Sequence, residues 1–262
     1  MKLTEITSFL EKIAPLSLQE EYDNSGLIIG SYNLLVDAAL ITIDCTELVV
    51  DEAIQNGCNL IIAHHPIIFN PIKKLNGNDY IQRTIIKALK NDIAIYAIHT
   101  NLDCIENGVS STISKRLGLL DTKVLCQKNL SPNLNFGYGI IGSLGSTVNA
   151  KDFLISLKSI MKTSCIRHTN LTKNEIKNVA VCGGSGSAFL TNAKELNADI
   201  YISSDFKYHE FFDADDDIII ADIGHFESEQ FTKELIYDLL TKNFTKFAVR
   251  LSKVNTNPIN YL

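Results

Sequence analysis

The chain has 262 residues, 45% hydrophobic and 21% charged, with a formal net charge of -6 and a pI near 5.5. That is the balance of a globular protein long enough for one large domain or two modest ones. The 24 Lys and Arg are scattered among 30 Asp and Glu, which argues against nucleic acid as a partner, and no apolar run reaches the roughly 20 residues that cross a bilayer.

In chain order, Thr4 to Ile13 predicts a helix that ends before Pro15. Ala38 to Ile43 predicts a strand, followed by a helix from Glu47 to Gln55 that Gly57 stops. Leu60 to Ala63 and Ile93 to Ile98 read as strands, with a helix from Tyr80 to Leu89 between them. A helix from Val109 to Leu117 ends at Gly118. The segment Leu119 to Thr147, with Pro132 and four glycines, reads as a crossover holding one or two strands. A helix from Ala150 to Met161 follows, then strands at Val179 to Cys182, Asp199 to Ile202 and Asp217 to Ile223. A helix opens at His225 and runs towards Leu240, and Phe247 to Val254 reads as a last strand.

Strand and helix alternate, so the expected fold class is α/β. We expect two related lobes, residues 1–125 and 126–262, with mostly parallel or mixed sheets facing a shared cleft. The six cysteines form no C-x-x-C pair and the N-terminus lacks a signal-peptide pattern, which predicts reduced thiols and a cytoplasmic protein.

Three strand-like runs end in the same way. His64-His65 follow Leu60 to Ala63, His99 and Asp103 follow the next strand, and His225 and Glu229 follow the run ending at Ile223. In open parallel sheets, functional side chains collect at the carboxyl ends of strands. A single histidine pair or an i, i+4 His/Glu pair has ordinary structural explanations, a solvated helix face among them. The threefold repetition favours metal. Imidazole with carboxylate suits zinc, iron or manganese. Adjacent histidines point in different directions, so His64 and His65 more easily serve two ions, or one ion and a substrate. His225 and Glu229 share a helix face. A carboxylate can bridge two cations, which makes Asp103 and Glu229 the candidate bridges, Glu229 favoured. The expected ligands are His64, His65, Asp103, His225 and Glu229, for two divalent ions per subunit, with positions left for water or substrate.

Other residues leave alternatives open. His99 could ligate, donate a proton, or orient Asp103 from behind. Asp44 is either a site acid or, with Thr46, a helix cap. The run Cys182-Gly183-Gly184-Ser185-Gly186-Ser187 could cradle a phosphate or form a tight turn lining the site; it lacks the Walker lysine. Cys104, beside Asp103, is either a soft ligand or, the favoured reading, a small core residue; His209 is a second candidate proton carrier, and His168 has no supporting context.

Taken together, the AHHP, HTNLD and GHFESE motifs and the GGSGS turn resemble the family of GTP cyclohydrolase 1 type 2 homologues, also called NIF-three-like. Glu21 to Leu27 resembles the family's W-D-N-x-G-L motif with Tyr22 in place of Trp, and Ser203 to His209 its T-G-D/E-x-x-x-H segment with Ser204 in place of Gly. The resemblance implies the same five metal ligands and oligomers built from dimers, often a hexameric ring. It also implies the short form, since only about thirty residues separate Gly118 from the helix at Ala150. The activity the family name implies is opening of the GTP imidazole ring with loss of formate. From the residues we expect a metal-dependent hydrolase of a small molecule such as a nucleotide, with metal-activated water and His99 or His209 moving protons. The competing expectation is a non-enzymatic metal-handling or scaffold protein.

Overall fold

The structure is a computed structural model and describes residues 1–128 and 136–262. The chain forms two compact units, residues 1–102 with 232–258, and residues 103–231 with 259–262.

The first unit opens with α1 (Leu3–Ile13), which buries Leu3, Ile6, Thr7 and Leu10 along one helical face. β1 (Gly26–Ile29) is followed by β2 (Ala38–Thr42), α2 (Glu47–Gln55), β3 (Leu60–Ala63), α3 (Tyr80–Lys90) and β4 (Ala94–Ala97). Every residue of β2, β3 and β4 is buried, as expected of parallel strands covered on both faces. β2, β3 and β4 run parallel, joined by α2 and α3, while β1 pairs antiparallel to β4. Thr46 caps α2 and Asp79 caps α3, each through a side-chain oxygen.

The chain then passes through α4 (Thr100–Asp103) and α5 (Val109–Arg116) into the second unit. There β5 (Leu120–Gln127) and the long β6 (Gly137–Asn149) form an antiparallel pair, followed by α6 (Ala150–Ile160), β7 (Arg167–His168) and β8 (Glu175–Ser185). α7 (Leu190–Glu195), β9 (Ile200–Ser204), β10 (Ile219–Asp222) and α8 (His225–Glu229) complete it. The sheet order is β5-β6-β8-β9-β10-β7, with β8, β9 and β10 parallel and the other pairs antiparallel. Finally α9 (Thr232–Asn243) and β11 (Ala248–Leu251) return to the first unit, where β11 lies parallel to β2 in the order β1-β4-β3-β2-β11.

The result is a mixed α/β fold with two sheets. Three details differ from the sequence expectation. The division is not one cut between residues 125 and 126: the chain leaves the first unit after Leu102 and returns at Thr232, because β2 is paired on its far side by β11. The helix expected to run unbroken from His225 is two helices, with Phe231 buried between them under the Arg116 guanidinium, 3.4 Å from the ring centroid. The short edge strands β1 and β7 carry too little periodicity to be read locally, and Pro132 lies outside the described residues. No helix among the described residues is long and apolar enough to cross a membrane.

Candidate metal centre

In the first unit, β3 and β4 deliver three imidazoles beyond their carboxyl ends. His64 is fully buried, and its Nδ1 donates to the Ile98 carbonyl at 2.9 Å. A carbonyl can only accept, so the proton sits on Nδ1 and the lone pair on Nε2. His65 Nδ1 donates to Asp44 Oδ1 at 2.7 Å, and Asp44 Oδ2 accepts from the Thr256 hydroxyl at 2.6 Å. His99 Nδ1 donates to Asp23 Oδ1 at 2.8 Å. Ligand atoms of His64, His65 and His99 all lie within 4.8 Å of one another, and their ring centroids are 4.9 to 5.3 Å apart.

Asp23 is locked in place. Besides His99, its carboxylate accepts from the Asn24 and Thr100 amides and from the Ser25 and Thr100 hydroxyls. Burial alone would raise its pKa, but the His99 hydrogen bond and charge, with the Thr100 and Asn24 donors, hold it well below the usual carboxylate range.

In the second unit, β10 ends at Asp222 and Gly224 (φ +91°) turns the chain into α8. His225 Nδ1 donates to Asp205 Oδ2 at 2.7 Å, and its Nε2 faces Glu229 Oε2 at 3.1 Å, the i, i+4 pairing expected on a helix. Burial works against a charged His225. Glu229 and Asp205 outweigh it and raise the pKa to about 11 in the metal-free protein. Ligand oxygens of Asp103 and Glu229 lie within 4.8 Å of each other. Burial pushes the neighbouring Cys182 thiol up to about 12, and the charges of Asp103 and Glu229 act in the same direction.

The glycine turn makes room for the carboxylate. Gly184 has φ +66°, and a Cβ there would sit 2.3 Å from Glu229 Oε1. The Gly184 amide donates to Ser228 Oγ at 2.8 Å and the Gly183 amide to Ser110 Oγ at 3.3 Å. Those two donors are taken by hydroxyls of the chain itself, as in a close turn.

The residues fit a divalent cation. The donors are imidazoles and carboxylates, and each of the four histidines has Nδ1 held by an oxygen, which directs Nε2 as the ligand atom. His99 joins His64 and His65. His209 does not: it is exposed in a 3-10 turn (Tyr208–Ala214), packs against Tyr208 and Phe212, and joins no group of three potential ligands among the described residues. Cys104 is a buried core residue, and Asp44 orients His65 while Thr46 caps α2. Sequence reasoning assigned no role to Asp23 or Asp205. Both lie in the segments that carry the family resemblance, which is the one signal that marks them.

Fold and site together define a mixed α/β protein with His/Glu clusters that could bind metal. Residues 1–258 match the family described as Duf34/NIF3 (NGG1p interacting factor 3). The chain belongs to that family. It is 33% identical over 230 residues to a GTP cyclohydrolase 1 type 2 homolog of Clostridium acetobutylicum, covering 87% of this chain and 85% of the relative. It is 29% identical to the homolog of Campylobacter jejuni, with 100% of both chains covered. The solved structure of a Bacillus cereus protein related to NIF3 superposes with a TM-score of 0.91 at 26% identity, covering 100% of this chain and 99% of the other.

Proposed function

We propose that this protein is a metal-dependent hydrolase in which His64, His65, Asp103, His225 and Glu229 are ligands to two divalent ions per subunit, zinc, iron or manganese. The observation that carries the reading is the shared geometry of His64, His65 and His225: an oxygen from another segment holds Nδ1 of each, which directs Nε2 as the ligand atom. The names of the curated relatives add a purine nucleotide to the candidate substrates, alongside other C–N and phosphoester compounds. Bound metal would supply an acidified water and a polarised substrate oxygen.

The chain's own residues do the rest. Asp103 and Glu229 each bring two oxygens, and the buried Glu229, seated against Gly184, is the favoured bridge. His99, its tautomer set by Asp23, is placed to take up and release a proton at Nε2. No step is assigned to His209. The reading includes a cytoplasmic homo-oligomer built from dimers, a hexamer by family resemblance, which sedimentation tests directly.

The decisive experiment pairs elemental analysis of the purified protein with formate release from GTP and a panel of cyclic amides and phosphoesters. Two ions per subunit, turnover, and loss of turnover in His99→Ala are expected. Full metal content in Glu229→Ala would overturn the ligand assignment. A fully metallated protein that turns over nothing would leave only metal handling.

A further inference from the structure

The loop after β3 holds a residue that the metal reading does not use. Ile67 is buried and Ile68 packs against the core of the first unit. Asn24 Nδ2 donates to the Ile68 carbonyl at 2.7 Å, so the backbone leading into Phe69 is fixed from the neighbouring segment. Phe69 itself stays 44% exposed. Its ring centroid lies 5.6 Å from that of His99 with the planes at 84°, and His99 in turn lies 5.3 and 5.2 Å from His64 and His65. Single exposed apolar side chains are ordinary. This one is held on the rim of the imidazole cluster by an anchored loop, in contact with the proposed proton carrier.

Resting on the hydrolase reading, we propose that Phe69 is the platform on which a flat ring of the substrate stacks. The substrate class is thereby narrowed to aromatic heterocycles such as nucleobases, rather than aliphatic amides or simple phosphoesters. An aromatic face binds any base by stacking and holds its plane while leaving the ring edge open to attack. The chemistry would then fall on the ring edge next to the imidazoles, with Phe69 contributing position and no proton.

The test measures binding of guanosine 5′-monophosphate and of ribose 5-phosphate to the full-length, metal-containing protein by calorimetry and saturation-transfer NMR. The base protons should be saturated, and the nucleotide should bind more tightly than the sugar phosphate. Phe69→Leu, which keeps apolar bulk without a flat face, should weaken nucleotide binding about tenfold and leave sugar-phosphate binding and metal content unchanged. Phe69→Trp should restore it. Nucleotide binding unchanged in Phe69→Leu, or no preference for the nucleotide in the parent protein, overturns the platform. Metal content and turnover are read separately. A metallated protein that hydrolyses a non-planar substrate and ignores the base sinks the platform alone, whereas stacking in a protein that hydrolyses nothing sinks the hydrolase reading on which the platform's substrate role rests.

Discussion

Substituting Gly184 by Ala separates backbone strain from damage to the candidate metal centre. The residue has φ +66°, where a side chain costs about 1–2 kcal/mol. The new Cβ would also stand 2.3 Å from Glu229 Oε1, against a closest real approach of 3.0 Å, so the carboxylate must retreat by at least 0.7 Å. It has little freedom to do so, being buried and engaged by His225 at 3.1 Å. Metal–ligand distances tolerate about 0.2 Å. Metal affinity, measured by chelator competition with elemental analysis, should therefore fall at least about tenfold, within the ~10–100-fold range typical of a disturbed ligand environment. Gly57 is the control: it has the same φ of +66° with nothing within 4 Å of its Cβ position. Gly57→Ala should lower stability in urea by about 1–2 kcal/mol and leave metal affinity unchanged. Wild-type affinity in Gly184→Ala, or equal loss in both variants, would refute the argument.

Asp23→Asn keeps one acceptor oxygen and turns an amide towards donors, and should cost about 2–4 kcal/mol in urea unfolding at pH 7. Because the folded Asp23 pKa is depressed, its contribution is complete above the unfolded value near 4 and fades as pH falls towards the folded value, so the gap between wild type and variant should narrow at pH 3. A constant gap counts against it. His225 is the opposite case: its pKa rises from 6.5 to about 11, so its contribution to the metal-free fold is full below 6.5 and lost as pH rises through 11. Metal must displace that proton, and calorimetry near pH 7.5 in two buffers of different ionisation enthalpy should show about one proton released; identical heats would contradict the assignment. His209→Ala should retain full metal content by elemental analysis, since the ring is exposed and packs on Tyr208 and Phe212.

Much of this protein is legible from local pattern. The runs that became β2, β3 and β4 are continuous and apolar because both faces of each strand are buried, and their lengths alone distinguish them from helices. The His225–Glu229 pair follows from helical spacing, and the histidines fall after strands because only there can a polar side chain leave the core. Local pattern cannot show which residue holds which histidine. Asp23 reaches His99 across 76 positions, Asp44 reaches His65 across 21, and Asp205 reaches His225 across 20. Nor does it show that Gly184 exists to admit Glu229, or that β11 closes the first sheet. Those depend on close approach in space, where hydrogen bonds and excluded volume act without regard to sequence distance. The sequence alone determined which side chains could bind metal; the tertiary structure decided which oxygen holds Nδ1 of each histidine, and so which ring nitrogen is left to act as a ligand.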